Sequence, residues 1–255
     1  MAEKSGHIGL LVIATGRYLS FARDLADDVD AVLPADVTVT MNILTDRVEE
    51  TQAWRPFSRL NTNVIEIAAL RWPEASLLRY ELFQSHWAQI HGDLLMYLDA
   101  DLRVKQPFLG VFDALSTGAP LAAVRHPGYY GRGRRGPRGT WETNRRSRAR
   151  VPRRLRRTYV CGGAWLGTRA AVGRLCQVLS ARVTADRNAG VTAVWHDESH
   201  WNWWVASHPT TLLSPAYCFV PDYPWLAGIE PIIIAVDKGP DFVRESTAVV
   251  TDPAS

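Results

Sequence analysis

Residues Leu94-Leu95-Met96-Tyr97-Leu98 form an apolar run that stops at two carboxylates one residue apart, Asp99-Ala100-Asp101. So short a run, with no polar alternation, suits a strand buried on both faces, which needs covering layers above and below. Side chains along a strand repeat every two residues, so Asp99 and Asp101 leave its carboxyl end on the same side. Like charges this close repel unless a cation lies beside them. Short carboxylates are hard oxygen ligands, suited to Mg²⁺ or Mn²⁺, ions that commonly hold a substrate phosphate on their far side. A solvated turn at a strand end explains a lone D-x-D equally well, so the rest of the chain must decide.

The pattern around this run is alternating. Residues 8–14 read as a strand, 16–33 as an amphipathic helix, 37–44 as a strand, 63–69 as a third strand and 75–90 as a helix, before the strand at 94–98. Strands separated by helices predict an α/β fold, a single Rossmann-like domain with a mainly parallel open sheet. Ligands of such sheets bind outside the carboxyl ends of the strands, where Asp99 and Asp101 are expected. The second half is less regular: a strand at 121–125, a glycine-broken strand at 159–167, a helix from about 169 to 186, a helix opened by Trp195 to His200 with Asp197 as its expected N-cap, and a short strand at 211–213. Glycine doublets such as Gly162-Gly163 let a ligand or another backbone approach closely.

At 255 residues with 47% hydrophobic and 22% charged residues, the chain can bury a substantial core. Its ten tryptophans suit either a core or a sugar- or base-binding cleft. Cys161, Cys176 and Cys218 are odd in number and lack C-x-x-C spacing, which argues against a disulfide framework and a structural zinc site and for a reducing compartment. Ile8 to Ile13 is too short for a signal peptide core or a membrane span, so a soluble, cytoplasmic protein is expected. No P-loop motif exists, and Ala14-Thr15-Gly16 lacks the glycine pattern of dinucleotide binders.

The formal net charge is +3, yet twelve arginines and one acidic residue, Glu142, lie between Arg132 and Arg157. With the glycines and proline of 131–139, this reads as a mobile Arg-rich loop over 131–157. Such a loop suits an acidic substrate or an anionic membrane face. Only Trp141 interleaves it, which argues against a nucleic-acid-binding role. The densest polar constellation is Trp195-His196-Asp197-Glu198-Ser199-His200, where Glu198 suits a base, a nucleophile or a charge stabiliser, and acidic residues also suit a helix start.

Ala193 to His200, Leu213-Ser214-Pro215-Ala216-Tyr217, His126-Pro127-Gly128-Tyr129-Tyr130 and Arg71-Trp72 with Arg79-Tyr80-Glu81 together resemble glycosyltransferase family 6, the family of histo-blood-group A and B transferases and α-1,3-galactosyltransferases. The resemblance runs from about residue 8 to 245. It implies a GT-A fold over 1–255, with a nucleotide-sugar half (8–125), an acceptor half (126–235) and a flexible tail (236–255). It further implies transfer of GalNAc or Gal from UDP-GalNAc or UDP-Gal to a terminal galactoside, fucosylated or lipid-linked, with α-1,3 linkage and retained configuration. A catalytically inert nucleotide-sugar or glycan-binding protein of the same fold, or a nucleic-acid-binding protein acting through the Arg-rich loop, is the alternative.

Residue by residue, the resemblance implies that Ile13, Thr15 and Tyr18 contact uridine and that Arg79 lies beside nucleotide and sugar. Asp99, Ala100 and Asp101 match the D-x-D that bridges Mn²⁺ or Mg²⁺ to the pyrophosphate. His126, Thr140 and Trp195 match acceptor contacts, Asp197 a donor-sugar carboxylate, and Glu198 the carboxylate proposed as nucleophile. Lys238 and Arg244 match basic residues that close over the pyrophosphate. Cys161-Gly162-Gly163 matches the donor-selecting segment, where the small Gly163 favours GalNAc. The chain resembles the short bacterial members, many of which carry N-x-N where this one keeps both aspartates. The arginine-rich loop lies outside the family pattern, and its charge is expected to steer an anionic acceptor or hold the enzyme at the inner membrane face.

Overall fold

A computed structural model describes residues 6–70, 73–132 and 138–236; Arg71, Trp72, Lys238 and Arg244 lie outside these. The strands among them are β1 (Ile8–Ile13), β2 (Val39–Thr45), β3 (Leu60–Glu66), β4 (Leu94–Leu98), β5 (Leu102–Val104), β6 (Leu121–Arg125), β7 (Val160–Thr168), β8 (Thr211–Leu213) and β9 (Ile233–Ala235). The helices are α1 (Tyr18–Val32), α2 (Val48–Gln52), α3 (Glu74–Leu77), α4 (Arg79–Ser85), α5 (Ala114–Thr117), α6 (Arg169–Asn188) and α7 (His196–Ser207).

Seven strands form one sheet in the order β3-β2-β1-β4-β7-β6-β8. It is parallel throughout except for β7, which runs antiparallel to both β4 and β6. β1, β2 and β4 are almost wholly buried, the requirement their continuous apolar runs impose. One apolar layer packs α1 against Leu10, Val12, Met96, Leu98 and Leu166. The other packs α4, α6 and α7 against Leu11, Leu95, Tyr97 and Trp165. The chain leaves β1 toward β2 on one side and returns to β4 on the other. The crevice at this reversal, beyond the carboxyl ends of β1 and β4, is where open α/β sheets bind ligands.

The strands at 94–98 and 121–125 match their sequence expectations residue for residue. The third strand lies three residues earlier than expected, at 60–66. Its polar residue Asn63 donates to Asn42 Oδ1 (2.9 Å), and buried Asn42 in turn donates to the carbonyls of Leu10 and His91. A hydrogen-bonded asparagine network thus places polar residues inside the sheet. The helix expected at 75–90 is two α segments and a 3-10 turn (Trp87–Gln89), broken at Leu78 and His86, whose backbones leave helical values.

In β7 a bulge interrupts the ladder. Ala123 of β6 pairs with Trp165, but Arg125, two residues on, pairs with Val160, five residues back. The extra residues are those around Gly162-Gly163. Bulges re-aim side chains and are common beside active sites. The Gly163 carbonyl leaves the β6 ladder and accepts from the Asp99 amide (2.8 Å) at the end of β4.

Residues 138–157 lie against the body of the domain although the sequence reads as a loop. Glu142, Ser147, Ala149 and Val151 are buried. Asp186 near the end of α6 accepts from Ser147 Oγ and from the Arg148 amide, both at 2.6 Å. Among the described residues no helix is long and apolar enough to cross a membrane.

Candidate active site

A cavity of about 390 Å³ opens beyond the carboxyl end of β4. Its walls include nine residues singled out from the sequence: Arg79, Asp99, His126, Thr140, Gly162, Gly163, Trp195, Asp197 and Glu198. Ser76, Tyr129 and His196 complete the lining.

At its floor, the buried Arg79 guanidinium donates to Asp99 Oδ1 (3.0 Å) and to the Gly162 carbonyl (2.6 Å), and pairs with Asp197 Oδ2 (2.9 Å). The Tyr97 hydroxyl also donates to Asp99 Oδ1, and the Tyr97 ring lies under the guanidinium at 4.1 Å. Burial disfavours the charge on Arg79, but the fields of Asp197, Tyr97 and Asp99 outweigh it and hold its pKa above the ordinary value. Arg79 therefore remains a fixed cation between two carboxylates that would otherwise repel.

Asp197 and Glu198 enter from the first turn of α7. His196 precedes them with φ of +43°, and among the described residues it is the non-glycine residue in the left-handed region. That turn aims the next two side chains at the cavity. The N-cap expected at Asp197 is corrected: Trp195 occupies that position, its amide donates to Ser199 Oγ (3.0 Å), and the Asp197 carboxylate is turned inward to Arg79. Burial raises Asp197 to about 6 despite Arg79.

Glu198 faces the cavity with both oxygens held: Tyr159 Oη donates to Oε1 and the Gly162 amide to Oε2, each at 2.8 Å. Burial raises Glu198 to about 7, against the lowering effect of those two donors. Asn202, one turn on, clamps α7 to β7. Its side chain exchanges two hydrogen bonds with the Val160 backbone (2.9 and 2.8 Å) and donates to the Glu198 carbonyl (2.9 Å).

The glycine doublet lies closely against the protein's own carboxylates. A Cβ at Gly162 would lie 3.1 Å from Glu198 Cβ and 3.2 Å from Asp197 Oδ2, and one at Gly163 would lie 2.6 Å from Asp99 Oδ2. Gly163 lines the cavity, and a side chain there would meet Asp99. Cys161 is 4% exposed, packs in the α1-side core and is not among the residues lining the cavity.

On the far wall His126 is held neutral, its pKa lowered to about 4 by burial, while Nδ1 accepts from the Gly128 amide (3.0 Å). His126, Tyr129, Tyr159 and Trp141 form an aromatic cluster, and Tyr129 hydrogen-bonds Thr140. Trp195 is half exposed at the rim. Ile13 ends β1, Thr15 follows it and Tyr18 opens α1, all outside the cavity lining; Thr15 Oγ1 donates to the Leu70 carbonyl (3.2 Å). Ala100 is buried, and Asp101 follows it in the turn into β5. Tyr159 and Asn202 were missed from the sequence because each acts through a partner distant in the chain.

A family model described as glycosyltransferase family 6 matches residues 2–245. The chain is 31% identical over 216 residues to histo-blood group ABO system transferase 1 of Rattus norvegicus. It is 28% identical over 216 residues to globoside alpha-1,3-N-acetylgalactosaminyltransferase 1 of Homo sapiens, and 30% identical over 217 residues to the Canis lupus familiaris protein of that name. Each comparison covers 82% of this chain and 60% of the relative, so the chain spans about 60% of the length of these curated relatives.

Proposed function

The chain belongs to glycosyltransferase family 6 and has a mixed α/β, single-domain fold of the GT-A type; on that premise we propose that it moves galactose or N-acetylgalactosamine from a UDP donor to a terminal galactoside, forming an α-1,3 linkage with retention. The observation that carries this reading is the convergence on Gly162-Gly163. There Asp99 from the end of β4 and Asp197 from the start of α7 flank one buried guanidinium at the floor of the first cavity, with Glu198 beside them on the Gly162 amide.

Asp99 and Asp101 would hold Mn²⁺ or Mg²⁺. The donor set fits: Arg79 and Tyr97 engage only Oδ1 of Asp99, and a carboxylate offers about four lone-pair sites. Among the described residues no group of three or more His, Cys, Asp or Glu side chains is arranged to hold a metal ion by itself, so phosphate oxygens and water would complete the shell. Bound there, the ion would stabilise the charge that develops on the departing UDP.

The chain's own residues do the rest. Arg79 fixes Asp99 and Asp197, and Asp197 is positioned to accept from donor-sugar hydroxyls. Glu198, aimed by Tyr159 and the Gly162 amide, faces the anomeric centre as nucleophile or as stabiliser of oxocarbenium character. His126, Thr140 and Trp195 present a neutral donor-acceptor, a hydroxyl and an apolar ring to the acceptor galactose. For Lys238 and Arg244 the reading keeps the role the resemblance implies, contact with the leaving pyrophosphate.

The test is a donor screen with UDP-Gal and UDP-GalNAc, each with and without EDTA, on fucosylated and unfucosylated galactosides. An α-1,3-linked product that disappears with EDTA and returns with Mn²⁺ is expected. No transfer from either donor in the presence of Mn²⁺ or Mg²⁺ would overturn the transferase reading. Full EDTA-resistant activity in Asp99→Asn/Asp101→Asn would overturn the metal role alone.

A further inference from the structure

A second cavity, of about 310 Å³, adjoins the first through the shared walls of His126 and Tyr129. Tyr159, the donor to Glu198, forms its inner side, and Arg125, Arg138 and Arg157 line it together. None of the described residues lining it is acidic. Among the described residues no ion pair engages Arg125 or Arg157.

The fold separates these arginines from their neighbours in the chain. Glu142, the one acid of the arginine-rich segment, is turned inward, where it accepts from the amides of Asn144 (2.6 Å) and Val194 (2.8 Å). Arg146 donates to the Ala189 carbonyl and Arg156 to the Val151 carbonyl, both at 2.9 Å, and Arg132 covers the Trp225 ring. These bonds tie the segment down, while Arg125 on β6 and Arg157 at the end of the segment line the cavity, with Arg138 also in its wall.

The two arginines Arg125 and Arg157 on an aromatic wall, with no carboxylate among the described lining residues, suit a carboxylate or phosphate, whose oxygens match the planar fork of arginine. We propose that this second cavity is an anion subsite for the acceptor: it takes a carboxylate or phosphate group carried by the acceptor glycan beside the galactoside that occupies the first cavity. This rests on the reading of the first cavity as a transferase site. The shared residues His126 and Tyr129 would touch the acceptor galactose on one side and its charged neighbour on the other.

The test uses three acceptors: a neutral β-galactoside, the same galactoside joined to glucuronic acid, and the same galactoside joined to an alkyl diphosphate. Binding to the full chain with UDP present is measured by calorimetry, and transfer is measured separately. At least one charged acceptor is expected to bind about tenfold more tightly than the neutral one, and whichever does so identifies the anion's source. That advantage should vanish in about 0.5 M salt and in Arg125→Gln/Arg157→Gln, and persist in Arg125→Lys/Arg157→Lys.

Equal binding of all three acceptors by the unaltered protein would overturn the proposal. So would an advantage that survives Arg125→Gln/Arg157→Gln. If that variant instead loses binding to phosphatidylglycerol vesicles while its acceptor affinities stay unchanged, the arginines serve a membrane surface and the subsite is refuted. A charged-acceptor advantage without transfer to any acceptor would leave the subsite standing and the transferase reading refuted; transfer without an advantage would do the reverse.

Discussion

The Arg79 guanidinium stands between Asp99 and Asp197, 3.0 Å from Oδ1 of the first and 2.9 Å from Oδ2 of the second. It joins the end of a strand to the start of a helix nearly one hundred residues later.

Removing that cation leaves a buried carboxylate without compensation. Arg79→Ala is expected to destabilise the protein by about 3–5 kcal/mol in urea unfolding, the range for breaking a buried ion pair from one side. Arg79→Lys should recover part of this stability but little activity, because an ammonium does not reach Asp99, Asp197 and the Gly162 carbonyl together.

Gly163→Ala separates two accounts of the glycine doublet. Its Cβ would lie 2.6 Å from Asp99 Oδ2, so Asp99 must shift. Transfer from UDP-Gal and UDP-GalNAc should fall together, by about tenfold or more, with their ratio of kcat/KM nearly unchanged. A change of donor preference with intact UDP affinity would show that residue 163 contacts the sugar instead.

Glu198→Gln keeps the shape of the side chain and removes its charge. The expected result is a fall in kcat of about three orders of magnitude with UDP affinity retained. Because burial raises Glu198 to about 7, kcat/KM of the unaltered enzyme should decline as pH drops below 7.

Stability should run the opposite way. A carboxyl group whose pKa is raised by folding stabilises the native state below its unfolded value, near 4.5, and that contribution is lost as pH rises through about 7. The melting temperature of Glu198→Gln, relative to the unaltered protein, should therefore rise by a few degrees between about pH 5 and pH 8.

Asp186→Ala tests the anchor of the arginine-rich segment. It leaves the Ser147 hydroxyl and the Arg148 amide without their acceptor, with an expected loss of about 2–4 kcal/mol. Protease cleavage within 138–157 should accelerate in parallel; cleavage at the unaltered rate would show that other contacts hold the segment.

Much of this architecture is legible in the sequence because apolar runs and their spacing report burial directly. The Leu94–Leu98 strand and the carboxylates after it are the clearest case. The residues that misled are those whose roles are set by distant partners. Asn63 lies in a strand because Asn42 and the Gln89 carbonyl accept its hydrogen bonds, so polarity displaced the apparent strand start. Asp197 carries the composition of a cap, yet the positive φ of His196 turns it inward. Ser147 and Asp186 convert an apparent loop into a packed segment through two short bonds. Cys161 and Gly163 depend on a bulge that no periodicity announces.

β7, contributed by the later part of the chain, is inserted between β4 and β6 from the earlier part. Any crossover that exchanges everything after residue 126 between two relatives therefore cuts through both neighbours of one strand, and separates the Asp99 amide from the carbonyl it was selected with. Recombination between such genes is expected to keep the sheet intact where residues 94–98, 121–125 and 160–168 are inherited from one parent.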